Sequence, residues 1–303
     1  KLVGLPFWNA VGHLEMLALE FVGQAARRPV YALLGAARRD SVAVYLSSRE
    51  RRTTPEQEID EFMVPRVAAS GARACKLGIG GRMSRNADAA PGRSEALVAR
   101  ARRVLGDEFA ICVDANGSYD ALRGIEVGRM LERHGVWFYE EPCPFEEFEM
   151  TQQVADALAV PVAGGEQDGS LPKWRWMIDR RMVDVVQPDL FYAGGFLRSL
   201  RIARRAEAAG LAVVPHAPRA HAASATLLQF AALLDRPGEY HEFSARAVTS
   251  RPAYDYEPRI RVENGRLAIP QGPGFGIRYD LPGIRAKARA IAYEVGPRPD
   301  DDD

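Results

Sequence analysis

The stretch FAICVDANGSYDALRGIEVGRMLERHGVWFYEEP, residues 109–142, decides the fold. Two apolar runs, 109–115 and 136–142, each carry a carboxylate near their end, Asp114 and Glu140. Between them, residues 119–135 place apolar side chains at helical spacing and finish on a glycine, as helices commonly do. A strand, a helix and a second strand in this order predict parallel strands joined by a right-handed crossover.

The same unit recurs along the chain. Apolar or β-branched runs occur at 42–46, 74–79, 109–115, 136–142, 160–166, 183–189, 211–217 and 240–244, with helical patterns between them such as 94–106, 199–210 and 222–235. Eight units predict an α/β fold, a (β/α)8 TIM-like barrel, rather than an open doubly wound sheet. Neither a dinucleotide-binding GxGxxG nor a phosphate-binding GxxxxGK[ST] sequence supports the open sheet.

The ends of the chain differ from this repeating part. An amphipathic helix pattern runs from about Asn9 to Arg27, and residues 252–303 contain short strand-like pieces, turn signals and a helix pattern. We expect residues 1–40 to be the helical remainder of an N-terminal capping domain and 41–250 to be the catalytic barrel. Residues 251–303 are expected to return to an incomplete α+β cap and to end in a disordered acidic tail.

Composition excludes several classes of partner. The 303 residues contain 40 basic and 40 acidic side chains, which gives no sign of a nucleic-acid or membrane surface. The three cysteines, Cys75, Cys112 and Cys143, form no close pair and indicate a reducing compartment. No apolar run reaches about 18 residues, and we expect no signal peptide. We therefore expect a cytoplasmic homo-oligomer.

Ionisable residues stand at or near the ends of strands two to eight. In order, they are Lys76, Asp114, Glu140, Glu166, Asp189, His216 and Glu242. The carboxyl ends of barrel strands meet at one mouth, where active sites of such barrels lie. A single acid at a strand end is usually a helix cap or a solvated rim residue, but one such group per unit predicts a shared site.

Three of these groups predict a metal site. Asp114, Glu140 and Glu166 lie on consecutive strands, where their carboxylates would repel one another unless a cation lay between them. Oxygen ligands favour a hard ion, Mg²⁺ before Ca²⁺ or Mn²⁺. Asn116 shares a face with Asp114 and is expected to bind ligand water or substrate. Glu141 alternates to the outer face, where we expect it to pair with an arginine, although it could exchange roles with Glu140.

The remaining groups predict acid–base chemistry. Asp189 beside His216 would fix the imidazole tautomer and raise its basicity, which makes His216 the expected general base. Glu242 is expected to face the ion across the pocket and, if neighbouring negative charge keeps it neutral, to donate a hydrogen bond to a developing oxyanion. Lys76 is the only one of four lysines within a strand pattern. His221, in a rim loop, is expected to touch substrate.

An Mg²⁺ ion opposite a histidine or lysine base is suited to removing a proton from the carbon next to a carboxylate. The chain also resembles the mandelate racemase branch of the enolase superfamily (mandelate racemase/muconate lactonizing enzyme family). The segments that carry this resemblance are HLEMLALEFVGQAARRPVYALLGA, ACKLGIG, VDAN, YEEP, GGEQ, QPDLFYAGG, VPHAP and GPGFGI. It implies metal ligands at Asp114, Glu140 and Glu166, an Asp189–His216 dyad, an acid at Glu242 and a first strand-two lysine at Lys76. It also implies a cap that begins before Lys1.

One departure from the family pattern decides between reactions. The family usually has Lys-x-Lys on strand two, and Gly78 stands at the second lysine. Racemisation needs a base on each side of the substrate, so a single good base favours β-elimination. We expect an Mg²⁺-dependent sugar-acid dehydratase giving a 2-keto-3-deoxy acid. A racemase, epimerase or lactone cycloisomerase is the alternative. Two further hypotheses are a Schiff-base aldolase using Lys76 and a non-catalytic relative.

Overall fold

The computed structural model describes residues 4–83, 85–217 and 219–294. Its centre is a barrel of eight parallel strands, which confirms the predicted (β/α)8 fold. The strands are β1 (Ser41–Ser47), β2 (Ala74–Gly78), β3 (Ala110–Asp114), β4 (Phe138–Glu140), β5 (Val162–Gly164), β6 (Val185–Val186), β7 (Ala212–Val213) and β8 (His241–Ser244). The expected acidic tail falls outside the described residues.

The sheet closes on itself through its first and last strands. Each strand from β1 to β6 pairs in parallel with the next, and β8 pairs in parallel with β1. At the remaining seam, Val213 of β7 bridges Pro237, four residues before β8, and the N–H of Gly238 donates to the Val213 carbonyl at 3.1 Å. All eight carboxyl ends therefore surround one mouth.

Alternate side chains of the strands fill the barrel interior. A buried cluster there is made of Tyr45, Ala74, Cys112, Phe138, Ala163 and Val214. Because strand side chains alternate with a period of two, the next inward positions toward the mouth are Lys76, Asp114, Glu140 and His216. The apolar layer thus forms a floor, and the ionisable groups stand above it.

Helices cover the outside of the sheet. After β1 a π-helix (Gln57–Met63) runs into α3 (Val64–Ser70), and later connections hold α4 (Arg93–Leu105), α5 (Ala121–Arg133), α6 (Phe148–Ala157), α7 (Leu171–Asp179), α8 (Phe196–Ala208) and α9 (Ala225–Ala231). A 3-10 turn, His221–Ser224, precedes α9, and another, Ala245–Val248, replaces the eighth helix. No helix in the described part of the chain has the length and apolar character needed to span a bilayer.

The two ends of the chain pack against each other. They contain α1 (Leu5–Ala26), α2 (Val30–Leu34), β9 (Tyr256–Glu257), β10 (Arg266–Ala268), β11 (Arg278–Tyr279) and α10 (Leu281–Glu294). Gln24 Nε2 donates to the Pro273 carbonyl at 3.1 Å, and the Val30 N–H donates to the Gly274 carbonyl at 2.8 Å. β10 pairs antiparallel with β1. These contacts agree with a capping domain built from both ends of the chain. The boundaries of that domain, 1–40 and 251–303, remain predictions.

Candidate active site

Lys76 lies near the centre of the mouth, 1% exposed. Its Nζ donates to both carboxylate oxygens of Glu140 at 2.7 Å and lies 3.2 Å from Glu242 Oε1. Burial opposes the charge on the ammonium, but the carboxylates of Glu140 and Glu242 outweigh it and raise the pKa of Lys76 well above its usual range. Lys76 is therefore a fixed cation, which argues against the aldolase hypothesis because a Schiff base requires a neutral amine.

Glu242 is ionised. Burial opposes its charge, but Lys76, His216 and hydrogen bonds from the Ala217 N–H and the Ser47 hydroxyl lower its pKa from 4.5 to about 2. The Ala217 N–H lies 2.7 Å from Glu242 Oε2. The condition for hydrogen-bond donation, a neutral Glu242, is therefore not met here, because the ammonium of Lys76 lies 3.2 Å from its carboxylate.

Asp189 and His216 form the predicted pair. Asp189 Oδ2 lies 3.0 Å from His216 Nδ1 and accepts a hydrogen bond from Arg219 Nη1 at 3.2 Å. Burial opposes ionisation of Asp189, but the His216 hydrogen bond and the charges of His216 and Arg219 hold its pKa below its usual range. An ionised carboxylate only accepts hydrogen bonds, so Nδ1 carries a proton, and in the neutral imidazole Nε2 presents a lone pair. Nε2 lies 3.4 Å from Glu166 Oε2.

Buried carboxylates gather on the other side of His216. Burial, followed by the charges of Glu141, Glu140 and Asp114, raises the pKa of Glu166 well above its usual range. Burial and the charges of Asp114 and Glu140 also raise the pKa of Glu141 well above its usual range. Burial raises the pKa of Glu140 as well, although the ammonium of Lys76 opposes this shift. The mouth therefore contains more negative charge than its own cations neutralise.

Glu141 differs from its prediction. It is 5% exposed and makes no ion pair with an arginine among the described residues. Its φ of 42° is left-handed, which breaks the strand alternation that would have turned the side chain outward. Its Oε1 is buried without a hydrogen-bond partner. Glu141 thus belongs to the acidic cluster, which keeps open its exchange of roles with Glu140.

Asn116 is tied to Asp114. The Asn116 backbone N–H donates to Asp114 Oδ1 at 2.7 Å, and its side-chain amide donates to Oδ2 at 2.8 Å. Asn116 Oδ1 is buried and has no hydrogen-bond partner among the described residues. This oxygen is free to accept a hydrogen bond from a ligand, as its predicted role requires.

The donor set fits a hard divalent cation. Carboxylate oxygens dominate it, and unpartnered buried oxygens of Glu141 and Asn116 lie beside Asp114. No group of three or more His, Cys, Asp or Glu side chains in the described ranges is already arranged to hold an ion. At Glu140, Lys76 engages both carboxylate oxygens and Gln187 Nε2 donates to Oε2 at 2.8 Å.

His221 lies away from these groups, contrary to its prediction. Its φ of 57° begins a 3-10 turn, and its Nε2 lies 3.1 Å from Ser250 Oγ. Both residues line a separate cavity with Phe243, Arg259 and Lys287. The turn after β7 therefore directs His221 toward the segment that follows β8, and we remove it from the site.

Two residues of the site were missed by sequence reasoning. Gln187 lies inward on the strand register of Asp189, but the pattern of one ionisable group at each strand end does not include a glutamine. The run QPD at 187–189 contained that signal. Arg219 donates a hydrogen bond to Asp189 from a loop. Loop residues follow no strand periodicity, so no signal in the sequence pointed to Arg219.

Comparison with known proteins agrees with this geometry. Residues 58–283 match the family described as "Enolase C-terminal domain-like". A magnesium-complexed mandelate racemase/muconate lactonizing protein from Paracoccus denitrificans PD1222 superimposes with a TM-score of 0.81 at 27% identity, covering 88% of this chain and 72% of that one.

Relatives with assigned activities act on sugar acids or their lactones. Arabinonate dehydratase from Saccharolobus solfataricus is 29% identical over 85% of this chain and 66% of its own length. D-galactarolactone cycloisomerase from Agrobacterium fabrum is 29% identical over 90% and 72%. This chain spans between 50% and 73% of the length of such curated relatives.

Proposed function

The chain belongs to the enolase superfamily, and on that premise we propose that it dehydrates a sugar acid in the presence of Mg²⁺. The reaction removes the proton next to the carboxylate and eliminates the neighbouring hydroxyl as water, giving a 2-keto-3-deoxy acid. The relatives that are sugar-acid dehydratases support this choice.

One observation carries the proposal. His216 is held by Asp189 through Nδ1, while Nε2 points toward the cluster of Glu166, Glu141 and Asp114. A carboxylate-bound imidazole with its free lone pair aimed into an acidic pocket is the arrangement of a general base beside a cation site. Neither group alone would distinguish catalysis from a buried structural ion pair.

Asp114, Glu140 and Glu166 would hold the Mg²⁺ ion, with Glu141 adding negative charge or taking the place of Glu140. When bound, the ion supplies positive charge that stabilises the negative charge developing on the substrate carboxylate. Lys76 contributes a second fixed cation on the β2 side. Asn116 Oδ1 is available to a ligand water or a substrate hydroxyl.

The protein's own proton carrier is His216. Its Nε2 takes the α-proton as the electrons of the C–H bond enter the substrate, and Asp189 stabilises the resulting imidazolium. The C–O bond to the β-hydroxyl then breaks, and the proton on Nε2 joins the leaving hydroxide as water. The remaining enol becomes the 2-keto acid. A single histidine performs both transfers when the hydrogen and hydroxyl leave from one side.

Racemisation, epimerisation or lactone cycloisomerisation is the alternative, supported by the cycloisomerase relative. Gly78 argues against the reactions that need two bases, because no side chain stands at the second inward position of β2. Homo-oligomerisation and a cytoplasmic location remain predictions. Leu14, Leu17 and Phe21 form an exposed apolar row on α1, which a dimer would bury. The molar mass from light scattering tests whether the protein forms such a dimer.

A screen of sugar acids with Mg²⁺, detecting 2-keto acid product, tests the proposal. Dehydration of at least one acid that stops on chelation and returns with Mg²⁺ is the expected result. Conversion of substrate only to its epimer would favour the alternative. Retention of full activity after exhaustive chelation would contradict the proposed reaction.

A further inference from the structure

The inner face of Gly78 is filled from another part of the chain. Gly78 lies two residues after Lys76 on β2 and therefore faces the same side, into the mouth. A Cβ built on Gly78 would lie 3.1 Å from Arg51 Nη1 and 3.3 Å from the Arg49 Cα. The loop after β1 thus crosses this position, and the guanidinium of Arg51 stands where a side chain at 78 would begin.

Main-chain carbonyls hold Arg51 in place. Nε donates to the Ile79 carbonyl at 2.9 Å, Nη2 to the Asp114 carbonyl at 2.9 Å, and Nη1 to the Arg49 carbonyl at 3.4 Å. A guanidinium has five N–H groups, so two remain for a ligand. The charge of Asp114 favours the Arg51 cation, but within residues 4–83, 85–217 and 219–294 no carboxylate side chain forms an ion pair with the guanidinium.

The loop that carries Arg51 is fixed at both ends. The buried Glu58 carboxylate, on the π-helix, accepts hydrogen bonds from the hydroxyls of Ser48 and Thr53, the latter at 3.0 Å. Arg93 of α4 donates to the Thr53 carbonyl at 2.9 Å, to the Glu50 carbonyl at 3.2 Å and to the Gly78 carbonyl at 3.3 Å. The guanidinium is therefore preorganised, as a ligand-binding group must be.

Arg51 binds the Ile79 and Asp114 carbonyls at the ends of β2 and β3, across the barrel from the β7 end that carries His216. Around the barrel, β2 and β7 are separated by β1 and β8, which is three of eight steps. A substrate between them has the imidazole on one side and the guanidinium on the other. A guanidinium donates hydrogen bonds but does not give up its proton in proteins, so it cannot act as a second base.

We propose that Arg51 binds an oxygen substituent of the sugar acid on the face opposite His216 and so confines proton transfer to the His216 side. The inference rests on the proposed function, because it assumes a sugar acid in this mouth. With this role, the preference for dehydration over racemisation follows from the presence of Arg51 and not only from the missing side chain at Gly78.

Kinetics of Arg51→Gln, Arg51→Lys and the neighbouring control Arg52→Gln test this role, using an acid that the wild type dehydrates with Mg²⁺ in D₂O. Loss of a charged hydrogen bond predicts a KM raised roughly tenfold to hundredfold in Arg51→Gln. Arg51→Lys, which keeps the charge, is expected to recover part of this loss, and Arg52→Gln to match the wild type. Deuterium should enter recovered substrate without inversion. An unchanged KM in Arg51→Gln, or inversion by the wild type, would overturn the assignment.

The two proposals fail separately. Wild-type dehydration with an unchanged KM in Arg51→Gln counts against Arg51 alone. If the wild type dehydrates no acid, the proposed function fails, and calorimetry with Mg²⁺ and the same acids still decides the role of Arg51. Weaker binding of an acid by Arg51→Gln than by Arg52→Gln would support it, and equal binding or none by either variant would contradict it.

Discussion

Lys76 Nζ lies 2.7 Å from each carboxylate oxygen of Glu140, and the two side chains are 1% and 0% exposed. A buried pair of this kind costs desolvation free energy, which its mutual attraction and added hydrogen bonds only partly offset. Gln187 and Glu242 provide those added contacts. The pair is therefore better explained by the chemistry of the mouth than by a need for stability.

Lys76→Met should destabilise the fold strongly, because Glu140 and Glu242 would be left buried with less positive charge. The expected loss in the free energy of unfolding is about 3–5 kcal/mol, measured by urea denaturation at pH 7. Lys173→Met is the matched control, since Lys173 pairs with Asp168 at 3.5 Å with 42% of its side chain exposed. That change should cost less than about 1 kcal/mol. Equal losses in the two variants would refute the buried-pair account.

Mg²⁺ should stabilise the protein by relieving repulsion among the buried carboxylates. At 100 times its dissociation constant, an ion that binds only the folded state adds about 2.7 kcal/mol. Thermal denaturation with and without Mg²⁺ measures this, and Asp114→Asn should lose most of the effect. Asp179→Asn, which alters a surface pair with Arg205 at 2.6 Å, should keep it. An unaltered Mg²⁺ response in Asp114→Asn would remove Asp114 from the site.

Acid should weaken the fold partly through His241. Burial first, and then Arg39, lowers the pKa of His241 from 6.5 to about 4, and neither ring nitrogen has a hydrogen-bond partner in the part of the chain that the structure describes. The unfolded state therefore takes up this proton first, so stability falls as pH drops from 6.5 to 4, by up to about 1.4 kcal/mol per pH unit. His241→Phe should reduce this slope in urea titrations at pH 7 and pH 5. A control, His13→Gln, changes an exposed ring and should leave the slope intact. The same slope in His241→Phe would show that other groups cause it.

The barrel was predictable because its signals are local and repeated. Parallel strands buried on both faces require apolar runs, and the carboxyl ends of those runs meet by topology, so residues such as Asp114 and His216 were identified from order and spacing alone. Glu141 was misplaced because its left-handed backbone ends the alternation that the prediction assumed. The charge state of Glu242 depends on its 3.2 Å approach to Lys76, which spacing does not encode.

The positions of loop side chains could not be predicted from the spacing of the strands. His221 and Arg51 lie on loops whose paths depend on contacts distant in sequence, such as those of Arg51 with the Ile79 and Asp114 carbonyls and of His221 with Ser250. From the sequence alone, Gly78 leaves the second inward position of β2 without a side chain. In the fold that position is occupied by Arg51, 27 residues earlier in the chain.

The exchange of the α-proton with solvent tests the central claim most directly. In D₂O with Mg²⁺ and an acid that the wild type dehydrates, mass spectrometry should detect no solvent exchange at the α-carbon and no 2-keto acid with His216→Asn. Calorimetry should show that this variant still binds Mg²⁺, because His216 lies beside the carboxylates and is not one of the predicted ligands. Exchange or turnover in His216→Asn at near the wild-type rate would contradict the assignment of His216 as the base.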